Sequence, residues 1–140
     1  MQATTMSYRE LRAVCEQRAA REGLAHSDVV MQTMTLGVLA VAGRIPAELR
    51  PALFVAGTRW LTTDPVLVRL EPFRVQAWEF LERKNGDSAS VRDQVDVAVR
   101  ALLCVLWEDE TAQSLDELLA YFTELLGSHE GVVAVLRAEQ

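Results

Sequence analysis

The sequence predicts an all-α fold: a compact, single-domain bundle of about six helices over residues 1–140. Three observations carry that prediction. Apolar residues recur at helical spacing in one segment after another. Ser, Asp, Pro and Gly stand where such segments begin and end. Half of the 140 residues are apolar, enough to bury a core without disulfides or metal.

The N-terminal residues 1–6 carry no helix signal and are expected to be disordered. Ser7 with Glu10 three residues on makes a capping box, so a helix is expected over 8–22, stopped by Gly23 in the left-handed conformation. Its apolar stripe is Tyr8, Leu11, Cys15 and Ala19, and Arg12 with Glu16 forms an i,i+4 pair. Ser27 or Asp28 caps a second helix that is apolar on nearly every face from Val29 to Val41, which places it in the centre of the bundle; Gly43 ends it.

Pro46 opens a third helix, with Leu49, Leu53, Gly57, Trp60 and Leu61 on one face. Asp64 and Pro65 resemble a cap, yet Pro72 follows so soon that residues 66–70 form at most a short turn or an extended piece. Pro72 opens the fourth helix, with Phe73, Ala77, Phe80 and Leu81 inward, and the Lys84-Asn85-Gly86-Asp87 turn makes 84–90 a candidate hinge. Ser90 with Asp93 starts the fifth, striped by Val91, Val95, Ala98, Val99, Leu102 and Leu106, and also central. Ser114 with Glu117 caps the sixth, which Gly127 terminates. A further helix over 130–137 is weakened by Gly131 and three valines. Gly37 and Gly57 fall inside helices, where each costs about 1 kcal/mol relative to Ala, and so predict close helix contacts.

Several function classes find no support. His26 and His129 are the only histidines, and no H-x-x-x-H or C-x-x-C spacing accompanies them, so no metal site and no cofactor are expected. Cys15 and Cys104 lie among apolar neighbours and are read as buried free thiols rather than nucleophiles or disulfide partners. No base, nucleophile and oxyanion donor can be grouped, so the chain is read as non-enzymatic, with no catalytic residues. A net charge of −6 disfavours nucleic acid. The longest weakly polar run, Val29 to Ala42, is short of the ~20 residues a membrane span requires, and no secretory signal is visible. The expected compartment is therefore the cytoplasm. Arg supplies thirteen of the fourteen basic residues, which fits a GC-rich bacterial genome.

Charge is not spread evenly. From Val105 to Gln140 eight carboxylates face one base, Arg137, whereas the preceding residues hold twelve acids and thirteen bases. Carboxylates at Glu108, Asp109 and Glu110, where the fifth helix should end, oppose its macrodipole and give the fold nothing local. With Asp116, Glu117 and Glu124 they make a candidate acidic face for steering a basic partner. On the fifth helix, Asp96 and Arg100 give way to Leu103 and Trp107 on the same nominal side, so a solvated side ends apolar. An aromatic anchor with a charged rim has the composition of an interface.

The candidate partner-binding residues are thus Leu103, Trp107, Glu108, Asp109, Glu110, Asp116, Glu117 and Glu124. The reading is a protein-binding module, of the immunity, antitoxin or adaptor kind, for a protein with a basic surface. Two alternatives stand beside it. One is a bundle enclosing an apolar small-molecule pocket lined by Met31, Met34, Phe54, Trp60 and Trp78. The other is a scaffold that dimerises with a second copy of itself.

Overall fold

A computed structural model describes residues 5–62, 69–85, 93–107 and 112–138 of the chain. Among these residues there are seven α-helices and no strand: α1 Tyr8–Glu22, α2 His26–Ala40, α3 Arg50–Leu61, α4 Glu71–Asn85, α5 Gln94–Val105, α6 Ala112–Leu126 and α7 Glu130–Ala138. The all-α single-domain bundle holds, with seven helices in place of six. The extra one is α7, which buries Val132, Val133 and Leu136 against α2. Tertiary burial outweighs the poor propensity of glycine and valine there.

α2 is the hub. It packs on α1, α3, α5, α6 and α7, as its all-round apolar surface requires, and its Val29, Val30, Met31, Met34 and Val38 are fully buried. Two buried hydroxyls within it are satisfied locally, Thr33 Oγ1 donating to Val29 O and Thr35 Oγ1 to Met31 O, both at 2.7 Å. α5 is the second central helix, covered by α6, α4 and α3.

The helix ends agree with expectation at α1, at Pro72 in the first turn of α4 and at Gly127 after α6, and depart from it at the starts of α2, α3, α5 and α6. Ser7 and Glu10 form the capping box, and Gly23 takes φ 68 at the far end. α2 begins at His26 behind Ala25 with no side-chain cap, rather than at Ser27 or Asp28. Pro46 leads into a single 3-10 turn, Ala47–Leu49, and α3 proper starts at Arg50. Asp93, not Ser90, caps α5, accepting from the Val95 and Asp96 amides. Ser114 lies inside α6 instead of before it. Each shift is about one turn or less. Residues 64–68, Ser90 and Val91 fall outside the described residues.

Of the N-terminal residues expected to be disordered, 1–4 lie outside the described residues, while Thr5 and Met6 are held against the bundle. The Met6 amide donates to Gly127 O at 2.7 Å, the Met6 side chain is buried, and Arg137 Nη2 donates to Thr5 O at 3.1 Å. Gly127 allows this approach, since a Cβ there would meet Met6 O at 2.7 Å. At the candidate hinge, Lys84 bonds to Asp93 and, at 3.1 Å, to Asp96 Oδ1, joining α4 to the first turn of α5.

Candidate functional site

The C-terminal end of α5 exposes carbonyls that no later turn of helix can satisfy. Two side chains from other helices supply the missing donors. Trp60 Nε1 of α3 donates to Val105 O at 2.8 Å, and Arg74 Nη1 of α4 donates to Leu106 O at 3.0 Å. A guanidinium is well placed at this negative helix end. The same guanidinium lies 4.8 Å from the centroid of the Trp107 ring, a cation–π contact. The Trp107 indole is thereby held by Arg74 with 38 % of the residue still exposed.

On its other side Trp107 borders a shallow cavity of about 320 Å³ whose opposite wall is α6, with Ser114, Glu117, Leu118 and Tyr121. Arg100 Nη1 donates to the Tyr121 hydroxyl at 3.4 Å, while Arg100 Nε is buried without a hydrogen-bond partner among the described residues. Trp78 is half-exposed on α4, one turn from Arg74. The face therefore combines Trp107 and Tyr121 with Arg74 and Arg100. Trp, Tyr and Arg are the residue types that dominate binding energy at protein interfaces.

This arrangement divides the residues expected to form the site. Trp107 and Glu117 are together at the cavity. Glu124 is exposed two turns further along α6 on nearly the same side as Glu117. Asp116 points away: it borders a different cavity, of about 330 Å³, with Arg12, Glu16, Ala19, His26 and Leu115, and its charge is the main cause raising the Arg12 guanidinium pKa. Leu103 is only 7 % exposed and belongs to the core rather than to the docking face, because its neighbours cover it within the chain. Asp96 is fully buried on Lys84, so the solvated side the sequence suggested for α5 is reduced to the partly buried Arg100. Glu108, Asp109 and Glu110 lie outside the described residues.

Comparison with known proteins adds nothing to this geometry. No protein-family model, curated protein or solved structure matches the chain. What the site can do must come from its own chemistry.

Both cysteines are buried. Burial pushes the Cys104 thiol up to about 12 and also raises that of Cys15, the opposite of what a thiolate nucleophile needs. His129 Nδ1 accepts from the Val132 amide at 3.3 Å and so serves as a cap for α7. No group of three His, Cys, Asp or Glu able to hold a metal is present among the described residues, and no helix there is long and apolar enough to cross a membrane.

The five residues expected to line an apolar pocket do not come together. Met31 and Met34 are fully buried in the core, Trp60 is committed to Val105, Trp78 lies on the α4 surface, and Phe54 is 75 % exposed. Phe54 instead borders an open apolar groove of about 580 Å³ between α3 and the end of α2, with Leu39, Ala42, Leu53, Gly57 and Leu61. This groove was missed because α3 is apolar on two sides. Ala52 and Ala56 are buried, so the bulkier Phe54 and Leu61 face out.

Proposed function

We propose that the chain is a non-enzymatic protein-binding module that holds a partner with a basic surface on the Trp107 face. The observation that carries this reading is the half-exposed Trp107 ring, stacked under Arg74 at the rim of a cavity shared with Glu117 and Tyr121. A rigid, pre-positioned aromatic anchor loses little freedom on binding. Charge supports the sign of the partner: the segment from Val105 to Gln140 holds eight carboxylates and one base. Glu117 and Glu124 would act at the rim and the charge of Glu108, Asp109 and Glu110, next in sequence to Trp107, would add to the steering of association, while Trp107 and Tyr121 would act at the centre, slowing release. An immunity protein, antitoxin or adaptor of a bacterial cytoplasm is the concrete form of this proposal.

The test is capture of partners on the tagged protein from lysate of its native host, at low and moderate salt, followed by association kinetics with the recovered partner. A basic protein should be retained at low salt. Lys at positions 108, 109 and 110 should slow its association and flatten the salt dependence, and Trp107→Ala should speed its release. On-rates indifferent to the charge reversal would remove the electrostatic part of the proposal, and an unchanged off-rate for Trp107→Ala would remove the anchor.

A further inference from the structure

The groove along α3 stands apart from the Trp107 face. Arg50, Phe54, Gly57 and Leu61 follow one another along α3 at spacings of three and four residues, so they line one side of the helix over roughly 16 Å. Gly57 is the telling position. A glycine inside a helix is expected to answer a packing need, yet a Cβ placed on Gly57 would meet nothing within 4 Å. Its missing side chain keeps the groove open and serves no contact within the chain.

The polar atoms of the groove divide sharply. The Thr58 hydroxyl donates to Phe54 O at 3.0 Å and the Thr62 hydroxyl to Thr58 O at 2.6 Å, so both are turned to the backbone of α3. Among the described residues Arg50 is the one charged residue that lines the groove, and it forms no ion pair with any of them. It is the first residue of α3, whose first turn carries no acid, so the positive end of the helix adds to its field. At the Leu61 end the helix dipole is negative. One end of the groove thus attracts an anion and the remainder is apolar.

We propose that this groove binds a free single-chain amphiphile with a carboxylate head, the head at Arg50 and the alkyl chain along Phe54, Gly57 and Leu61. A second copy of the chain fits the charges less well, since a two-fold contact through this face would bring in two unpaired Arg50 side chains and no lining carboxylate. A partner helix would need a polar rim, whereas the groove offers one cation at one end.

The experiment is titration of the full chain with dodecanoate and with dodecyltrimethylammonium, both below micelle formation, followed by amide chemical shifts and calorimetry. Dodecanoate should move the amides of residues 50–61 and bind about tenfold more tightly than the ammonium. Gly57→Leu, which fills open space on a helix, should abolish binding while circular dichroism shows the fold intact. Arg50→Glu should reverse the preference between heads. Equal affinity for both heads, shifts elsewhere in the chain, or unaltered binding by Gly57→Leu overturns the proposal. So does dimerisation through α3 without any amphiphile, or binding to anionic phosphatidylglycerol vesicles with no response to dissolved dodecanoate.

Discussion

Phe122 of α6 packs against the bare backbone of Gly37 in α2: a Cβ on Gly37 would lie 2.5 Å from Phe122 Cζ. The ring is fully buried, so it has little room to withdraw. Gly37→Ala should therefore destabilise the protein although it improves helix propensity. Overpacking costs about 1–3 kcal/mol and the propensity gain offsets about 1 kcal/mol. Urea denaturation of Gly37→Ala, Phe122→Leu and the double variant checks this, with the second substitution relieving the first.

The same substitution at Gly57 should have the opposite sign. Nothing opposes a new Cβ there, so Gly57→Ala should stabilise by up to about 1 kcal/mol. A rise in the urea midpoint with unchanged slope is the expected reading.

Lys84 ties α4 to α5 through Asp93 and the fully buried Asp96. The hydrogen bond from Lys84 holds the Asp93 carboxyl below its ordinary value near 3.8, and those to Asp93 and Asp96 hold the Lys84 ammonium above 10.5. A lowered acid stabilises the fold above its unfolded pKa and loses that contribution as pH falls through the folded one. A raised base does so below its unfolded pKa and loses it as pH rises further. Melting temperature should thus decline below about pH 3.8 and again above 10.5, and Lys84→Met should lower the plateau and flatten both limbs.

Arg74 joins two contacts at one guanidinium, the Leu106 carbonyl and the Trp107 ring. Arg74→Ala should cost about 1–2 kcal/mol, and Arg74→Lys should recover only part of it, because an ammonium cannot stack flat on the ring while donating sideways. Denaturation followed by tryptophan fluorescence tests both.

These residues mark how far the sequence could be read. Helix existence was legible, because the apolar spacing that defines each helix is local, and so was the central place of α2. Gly37 and Gly57 look alike in sequence, and only the arrival of Phe122 at one and of nothing at the other tells them apart. Trp107 stood out as an aromatic residue at a helix end. Arg74 and Tyr121, which complete its surroundings, belong to other helices and could be placed only once the bundle was assembled. Leu103 and Asp96 misled because exposure was inferred from one helix's own periodicity, whereas α4 and α6 determine what α5 shows to solvent.

The hub helix has a consequence for how the protein is made. α2 is apolar around its circumference, and its most extensive helix contact is with α7, residues 130–138, roughly a hundred positions later. While the ribosome is still translating the intervening chain, α2 has no α7 to shield it. The nascent protein therefore carries an apolar helix incompletely covered while those intervening residues are made, and a chaperone that grips apolar helices has its opportunity there.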